Sequence, residues 1–157
     1  MDKFLDWVKS YLEDGFTNDS EISKKVIVEL AYKTGNTITT TNTPQIQIQI
    51  MDNAEVDRYS SFEGENISSI PLQITAYTTS MKIGNVVKSA QESSIIFGQK
   101  VKALLNKLRE SVVNENIAKC RIATTSPALP LLDGKAYMTA IRCEFWVSNP
   151  YKEIKGE

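Results

Sequence analysis

Residues 44–50 read PQIQIQI, the most regular stretch of this 157-residue chain. Ile46, Ile48 and Ile50 alternate with glutamines, and a period of two places three β-branched apolar side chains on one face of a strand. The opposite face carries glutamines rather than charges, so it is either solvated or part of a polar contact surface. This stretch predicts a sheet with one buried face.

Other strands are predicted on both sides of this one. Residues 71–83, 119–125 and 136–147 have the alternation and β-branched content of strands. Residues 24–33 fit a strand or a helix, and their β-branched content favours the strand. Residues 52–66 are predicted to be one long turn-rich connection.

Two amphipathic helices complete the pattern. In residues 2–14 the apolar side chains recur at spacings of three and four, and Gly15 is the expected stop. Residues 90–113 have the same periodicity, and Ser89 with Glu92 matches a capping box at their start.

The order of these elements predicts an α+β fold in a single domain, residues 1–150, with a polar tail at 151–157. We expect a mostly antiparallel, mixed sheet of about four to five strands. The N-terminal helix and the long helix should pack on one face of that sheet.

Composition excludes several classes of function. Hydrophobic residues make up 41% of the chain and the net charge is −1, which is typical of a globular protein and too balanced for a dedicated nucleic-acid binder. The chain has no histidine, which removes Ser-His-Asp and Cys-His catalysis and most catalytic zinc sites. Cys120 and Cys143 are either cross-strand neighbours or, as we expect, two small buried apolar residues.

The sequence contains no phosphate-binding glycine loop and no nucleophile elbow. It has no apolar run of transmembrane length, and its first residues lack the pattern of a signal peptide. We therefore expect synthesis in a cytoplasm with reduced thiols. The densest carboxylate cluster is a candidate magnesium or acid–base site, although an acidic surface loop is the expected reading. Its members are Asp52, Glu55, Asp57, Glu63 and Glu65.

Charge is segregated along the chain. Residues 52–65 hold five acids and one base, a net of −4, whereas residues 82–121 hold eight bases and three acids, a net of +5. Two opposed patches suit head-to-tail association, which closes into a ring when the rotation permits. Alternatively, the two regions neutralise each other within one subunit. The candidate interface residues are Asp57, Arg58, Tyr59, Phe62, Glu63, Glu65, Lys100, Lys102 and Lys107.

Three runs of sequence carry a resemblance to a known family: residues 44–53, 58–66 and 71–77, which read PQIQIQIMDN, RYSSFEGEN and PLQITAY. With the N-terminal helix, the long helix and the closing strand to Trp146, the chain resembles the tail terminator family of tailed phages. Members of this family in prophages are sometimes labelled minor capsid proteins.

The resemblance implies a structural role without catalysis or cofactor. The chain would assemble with itself into a ring, expected to be a hexamer, that caps the tail tube and ends tail polymerisation. Its other partners would be the tail tube protein and a head-completion or connector protein, and DNA would pass through the lumen without specific binding. The expected location is the head–tail junction of the virion, assembled in the bacterial host cytoplasm without a membrane partner.

Two alternatives remain open. The chain could be another neck ring protein, for head closure or tail completion, because those proteins share its size and lack catalytic motifs. It could also be a small ligand-binding or enzymatic α+β domain that uses carboxylate or lysine chemistry. That second class requires polar groups that converge in a concave pocket.

Overall fold

A computed structural model of the chain describes residues 2–31, 38, 39, 41–51, 57–60, 66–110 and 117–148. These described residues form two α-helices, nine β-strands and one 3-10 turn. In chain order the elements are α1 (Asp2–Thr17), β1 (Ile27–Leu30), β2 (Gln45–Ile50), β3 (Asp57–Ser60), β4 (Asn66–Thr79), β5 (Met81–Ile83), β6 (Val86–Lys88), α2 (Ala90–Glu110), β7 (Ile117–Thr125), β8 (Leu129–Leu131), the 3-10 turn (Leu132–Gly134) and β9 (Ala136–Ser148). In this part of the chain no helix is long and apolar enough to cross a membrane. The predicted α+β fold is confirmed.

Seven of the strands form one mixed sheet, whose central path is β1–β2–β4–β9–β7. β1 and β2 run parallel, and the other neighbours run antiparallel. Because β4 has 14 residues and β9 has 13, each can pair with two successive strands along its outer edge. β3 pairs with the start of β4 beyond the end of β2, and β8 pairs with the start of β9. With these two short strands the sheet has seven strands, more than the four or five that the sequence predicts.

The core lies on one face of this sheet. Ile70, Leu72 and Ile74 of β4 are buried, and they stand opposite buried residues of β9. α2 packs across β4, β7 and β9, while α1 packs against β1. Aromatic rings tie the helices to this layer, because Phe4 of α1 meets Phe145 of β9 edge-on with ring centroids 5.3 Å apart.

β2 has the predicted alternation. Ile46 and Ile48 are buried in the common core, and Ile50 is half-buried. At the start of α2, the Ser89 hydroxyl accepts a hydrogen bond of 3.2 Å from the N–H of Glu92, which is the predicted N-cap. Residues 24–33 contain the strand β1 rather than a helix.

The predicted end of the first helix is wrong. α1 continues through Gly15 to Thr17. The glycine is used for close packing instead, since a Cβ at this position would lie only 2.6 Å from a methyl carbon of Leu104 on α2. Gly15 therefore allows a close contact between the two helices and is not a stop signal.

The predicted boundaries of the long central strand are also wrong. β4 begins at Asn66, five residues before Pro71, although proline usually opens a strand or lies at an edge. The Pro71 carbonyl accepts a hydrogen bond from the N–H of Met51. Because the nitrogen and carbonyl of one residue in an antiparallel strand point to the same side, the Pro71 nitrogen also points toward β2 and β3. The missing N–H of Pro71 falls at the junction between β3 and β2, where no ladder bond is lost.

Other predicted segments are subdivided. Residues 52–66 contain the strand β3 and the first residue of β4, so they are not one unstructured connection. Residues 71–83 divide at Ser80 into the end of β4 and the strand β5, which pairs with β6 in a separate hairpin that turns at Gly84 with φ of 63°. Residues 111–113, predicted as the end of the long helix, and the tail at 151–157 lie outside the described residues.

We predict that Ile48→Asp lowers the free energy of unfolding by about 3–5 kcal/mol, because it places an unpaired carboxylate at a position that is 1% exposed. The matched control is Gln49→Asp on the exposed face of the same strand, for which we expect a loss below about 1 kcal/mol. Urea unfolding followed by circular dichroism measures both. Equal stability of the two variants would contradict the assignment of the buried face.

Candidate interaction surfaces

The structure divides the predicted interface residues into three groups. Asp57, Arg58 and Tyr59 belong to β3, which pairs with Ser69, Ser68 and Ile67 of β4. Phe62, Glu63 and Glu65 lie outside the described residues. Lys100, Lys102 and Lys107 lie on α2, where they have three different environments.

Lys100 is engaged inside the subunit. Its Nζ lies 2.9 Å from Oδ2 of Asp19 and 3.4 Å from Oε1 of Glu21, both in the segment after α1. The Lys100 side chain is only 20% exposed. The charge of Lys100 is therefore neutralised within its own subunit, which was the second alternative from the sequence. Its acidic partners are at residues 19 and 21, however, and not in the segment 52–65.

Asp19 is the centre of this ionic cluster. Its Oδ1 accepts hydrogen bonds from the N–H groups of Glu21 and Ile22, at 2.8 and 3.0 Å. Burial alone would raise the pKa of Asp19, but the hydrogen bond from Lys100 and the two backbone N–H groups outweigh it, so the pKa lies below its ordinary value. Burial would lower the pKa of Lys100, but its two carboxylate partners raise it instead. Both groups are therefore held in their charged forms at neutral pH.

Lys107 lies beside an open groove between the two helices. The groove has a volume of about 500 Å³ and is lined mainly by the last turns of α1 and the middle of α2, including Tyr11, Phe16 and Leu104. The Tyr11 hydroxyl donates a hydrogen bond to the carbonyl of Leu104, and its ring stacks on that of Trp7. The groove is therefore a seam between two packed helices. Its one aromatic hydroxyl, on Tyr11, already has a hydrogen-bond partner.

Lys102 borders a smaller, largely apolar notch on the other side of α2. The notch has a volume of about 170 Å³, and its walls are one face of α2 and the segment between β7 and β8. Its lining residues are Ile95, Gly98, Gln99, Lys102, Thr125, Ser126, Pro127, Ala128 and Thr139. Beneath it, the hydroxyls of Ser94 and Thr139 lie 3.2 Å apart in a buried hydrogen bond. Ile95 leaves 47% of its surface exposed at the edge.

The sheet face opposite the helices is polar, as the glutamine pattern predicted. Gln47 donates a hydrogen bond of 2.7 Å to the side chain of Gln45, and Gln73 donates one of 3.3 Å to the hydroxyl of Thr75. Each of these two amide groups donates to a side chain two residues away on its own strand. The surface can therefore face solvent without leaving those donors unsatisfied.

The two cysteines are buried, as expected, and they form no disulfide with each other. They are not directly opposite, since Cys120 pairs with Phe145 and Cys143 pairs with Ile122. A hydrogen bond with the Cys120 thiol and burial raise the pKa of the Cys143 thiol. A buried thiol with a raised pKa is a poor nucleophile, so these two cysteines act as apolar residues of the hydrophobic core.

The described residues provide no built catalytic constellation. They contain no group of three or more His, Cys, Asp and Glu side chains that could hold a metal ion. Most of the acidic cluster of residues 52–65 lies outside the described part. In the helix groove, Asp19 is neutralised by Lys100 and is not a carboxyl with a pKa raised toward neutrality, as a general acid requires.

The chain matches no protein-family model, and no curated protein is similar to it.

We predict that Asp19→Asn lowers the free energy of unfolding by about 1 kcal/mol at pH 7, because the amide keeps an acceptor oxygen but loses the charge facing Lys100. A carboxyl whose pKa is lowered by folding stabilises the native state above its unfolded pKa and loses that effect as the pH falls toward its folded pKa. The difference between wild type and variant should therefore shrink as the pH falls below 3.8, the ordinary pKa of an aspartate. Lys100 keeps its charge throughout this range, since its pKa is raised from 10.5.

The matched control is Glu13→Gln, which removes an exposed pair with Lys9 at 3.8 Å and should cost less than about 0.5 kcal/mol. A double-mutant cycle of Asp19→Asn with Lys100→Met measures the coupling between the two side chains. Additive effects in that cycle would show that the pair does not stabilise the fold.

Proposed function

We propose that this chain is a structural tail terminator of a phage or prophage. Copies of the chain would form a ring, in the proposal a hexamer, that caps the tail tube, stops its polymerisation and joins it to the head. The partners are further copies of the chain, the tube protein and a head-completion protein, and DNA passes through the lumen. The site of action is the head–tail junction of the virion.

The observation that carries the proposal is the way the three resembling runs fold. Residues 44–53, 58–66 and 71–77 contribute β2, most of β3 and the start and middle of β4, which are neighbours in the sheet. The resemblance therefore falls on one contiguous unit of the fold rather than on scattered elements. The two helices pack on the strands of the same sheet, as the element pattern of the sequence predicts.

The arrangement of side chains also favours assembly over catalysis. The groove between α1 and α2 is a helix seam with a satisfied hydroxyl, and one of its carboxylates, Asp19, is held charged by Lys100. In contrast, the surface beside Lys102 combines an apolar notch with a cation. An apolar centre with a charged rim is the usual composition of a protein-binding surface.

We predict that the purified chain sediments as a ring whose mass is a small multiple of its 17.6 kDa monomer, six in the proposal. Added to polymerising tube protein from the same gene cluster, it should end growth, so tube lengths measured by electron microscopy fall as its concentration rises. Heat-unfolded chain is the control. A monomer at all concentrations, with no effect on tube length, would exclude a tail terminator.

Deletion of the gene from its prophage distinguishes the alternative neck proteins. For a tail terminator we expect tails of irregular, excessive length and heads without tails. Tails of normal length that fail to join heads would instead assign the chain to head closure.

A further inference from the structure

The β3–β4 pairing and the Lys102 notch lie toward opposite ends of β4. β3 and β4 form a hairpin in which Ser60 pairs with Asn66, so the five residues 61–65 connect them at the start of β4. The notch includes Thr139, which pairs with Ala76 near the other end of β4. Ten residues of extended strand separate these positions, a distance of about 33 Å. Ser60 and Asn66, the described residues on either side of this connection, therefore lie far from the notch of their own subunit.

The notch has room for one large apolar side chain. A cavity of about 150 Å³ lined by apolar side chains can hold benzene, and the notch has about 170 Å³. Pro127, Ala128 and Ile95 supply apolar surface to the notch. Gly98 has no side chain there, and a Cβ at this position would lie 3.4 Å from the methyl carbon of Thr139. An aromatic ring that enters the notch would bury one part of its surface against these apolar atoms, while its outer edge stays in contact with solvent.

The connection 61–65 has the chemistry that complements this notch. It reads SFEGE, so Phe62 is its one apolar residue and Glu63 and Glu65 are its two charges. The surrounding segment 52–65 has a net charge of −4. Among the residues that line the notch, Lys102 is the only charged one.

We propose that the notch beside Lys102 binds the connection 61–65 of a second copy of the chain, with Phe62 between the walls and Glu63 or Glu65 facing Lys102. Each subunit then carries one acidic hairpin and one notch at opposite ends, so the contact is heterologous and repeats head to tail until the ring closes. This inference rests on the proposed ring, and it names the surface that builds it. It also narrows the predicted basic partner from the whole face of α2 to Lys102.

Cross-linking between two single-cysteine additions tests the contact. Ser61→Cys leaves Phe62 and both glutamates in place, and Ala128→Cys lies in the wall of the notch. The two variants are mixed and treated with a short bis-maleimide, to which the buried Cys120 and Cys143 are inaccessible. We expect a covalent dimer in the mixture, absent from either variant alone. In the double variant we expect a ladder of covalent oligomers that ends at the ring.

Ala103→Cys is the matched control for Ala128→Cys, because it is also an alanine and lies on α2, but it lines the groove with α1. We expect at least a tenfold lower yield of dimer with this variant. Equal yields, or an internal cross-link within single subunits of the double variant, would overturn the inference. A ring that sediments normally but gives no Ser61–Ala128 product would overturn the contact while the proposed function stands. The absence of any oligomer would overturn both.

Charge reversal gives an independent measurement. Glu63→Lys with Glu65→Lys should shift the ring toward monomer in sedimentation at low salt, with a smaller shift at high salt because exposed charges are screened. Lys102→Glu in the same chain should restore part of the assembly, whereas Lys107→Glu should not. Equal restoration by Lys107→Glu would assign the effect to the general charge of α2 and overturn the role of the notch. Phe62→Ala should weaken assembly at both salt concentrations, and an unchanged ring would also overturn the inference.

Discussion

The pairing of β4 with β9 is the constraint on which the rest of the structure depends. The two strands are hydrogen-bonded neighbours over the register from Ile67–Ser148 to Thr79–Ala136. Their inward side chains form the centre of the core, and α2 packs across them. Because both strands exceed the length of their outer neighbours, β3 and β8 find room at opposite ends of the pair. The same length determines the separation between the acidic hairpin and the notch beside Lys102.

The ionic cluster around Asp19 has a second structural role, which is to join three elements. One carboxylate oxygen of Asp19, Oδ2, contacts Lys100 of α2. The other oxygen, Oδ1, accepts hydrogen bonds from the backbone N–H groups of Glu21 and Ile22. The carbonyl of Glu21 in turn accepts a hydrogen bond from Gly84, and Ile22 makes a β-bridge with Ile83. The end of α1, the middle of α2 and the β5–β6 hairpin therefore meet at one partly buried charge pair. A pair of this kind has more influence on stability than an exposed one, because removal of one partner leaves the other poorly solvated.

Regular periodicity made much of the fold predictable from the sequence. The alternation at 44–50 and 136–147 gave the correct buried faces, and the apolar stripes gave both helices. Short strands without a clear period, such as β3 and β5, were not predicted as separate strands. Single residues were also poor guides to boundaries. The local pattern predicts a strand start at Pro71 and a helix stop at Gly15, but tertiary neighbours determine both: the junction of β3 with β2 accommodates the proline, and Leu104 packs against the glycine. Local propensity carries no information about such neighbours.

The candidate surface was predictable only in part, for a related reason. Counting charges along the sequence identified α2 as basic, but it could not separate Lys100, which faces Asp19 and Glu21, from Lys102, which borders the notch. The notch itself left no local signal, because its walls come from α2 and from the segment before β8, about 30 residues apart in the chain. Only the way α2 lies across β9 brings them together.

The difference between these lysines also bears on what drives association. With Lys100 neutralised inside the subunit, the basic side of α2 attracts an acidic partner less strongly than the net charge of +5 for residues 82–121 suggests. Exposed ion pairs contribute about 0–1 kcal/mol each, so the remaining charges determine orientation and encounter rate rather than affinity. The open face of the sheet offers little more, since the side chains of Gln45, Gln47 and Gln73 already donate hydrogen bonds to neighbouring polar groups. Affinity must therefore come from apolar surface, and on α2 the exposed Ile95 lies at the edge of the notch, next to the lysine that can orient an acidic partner.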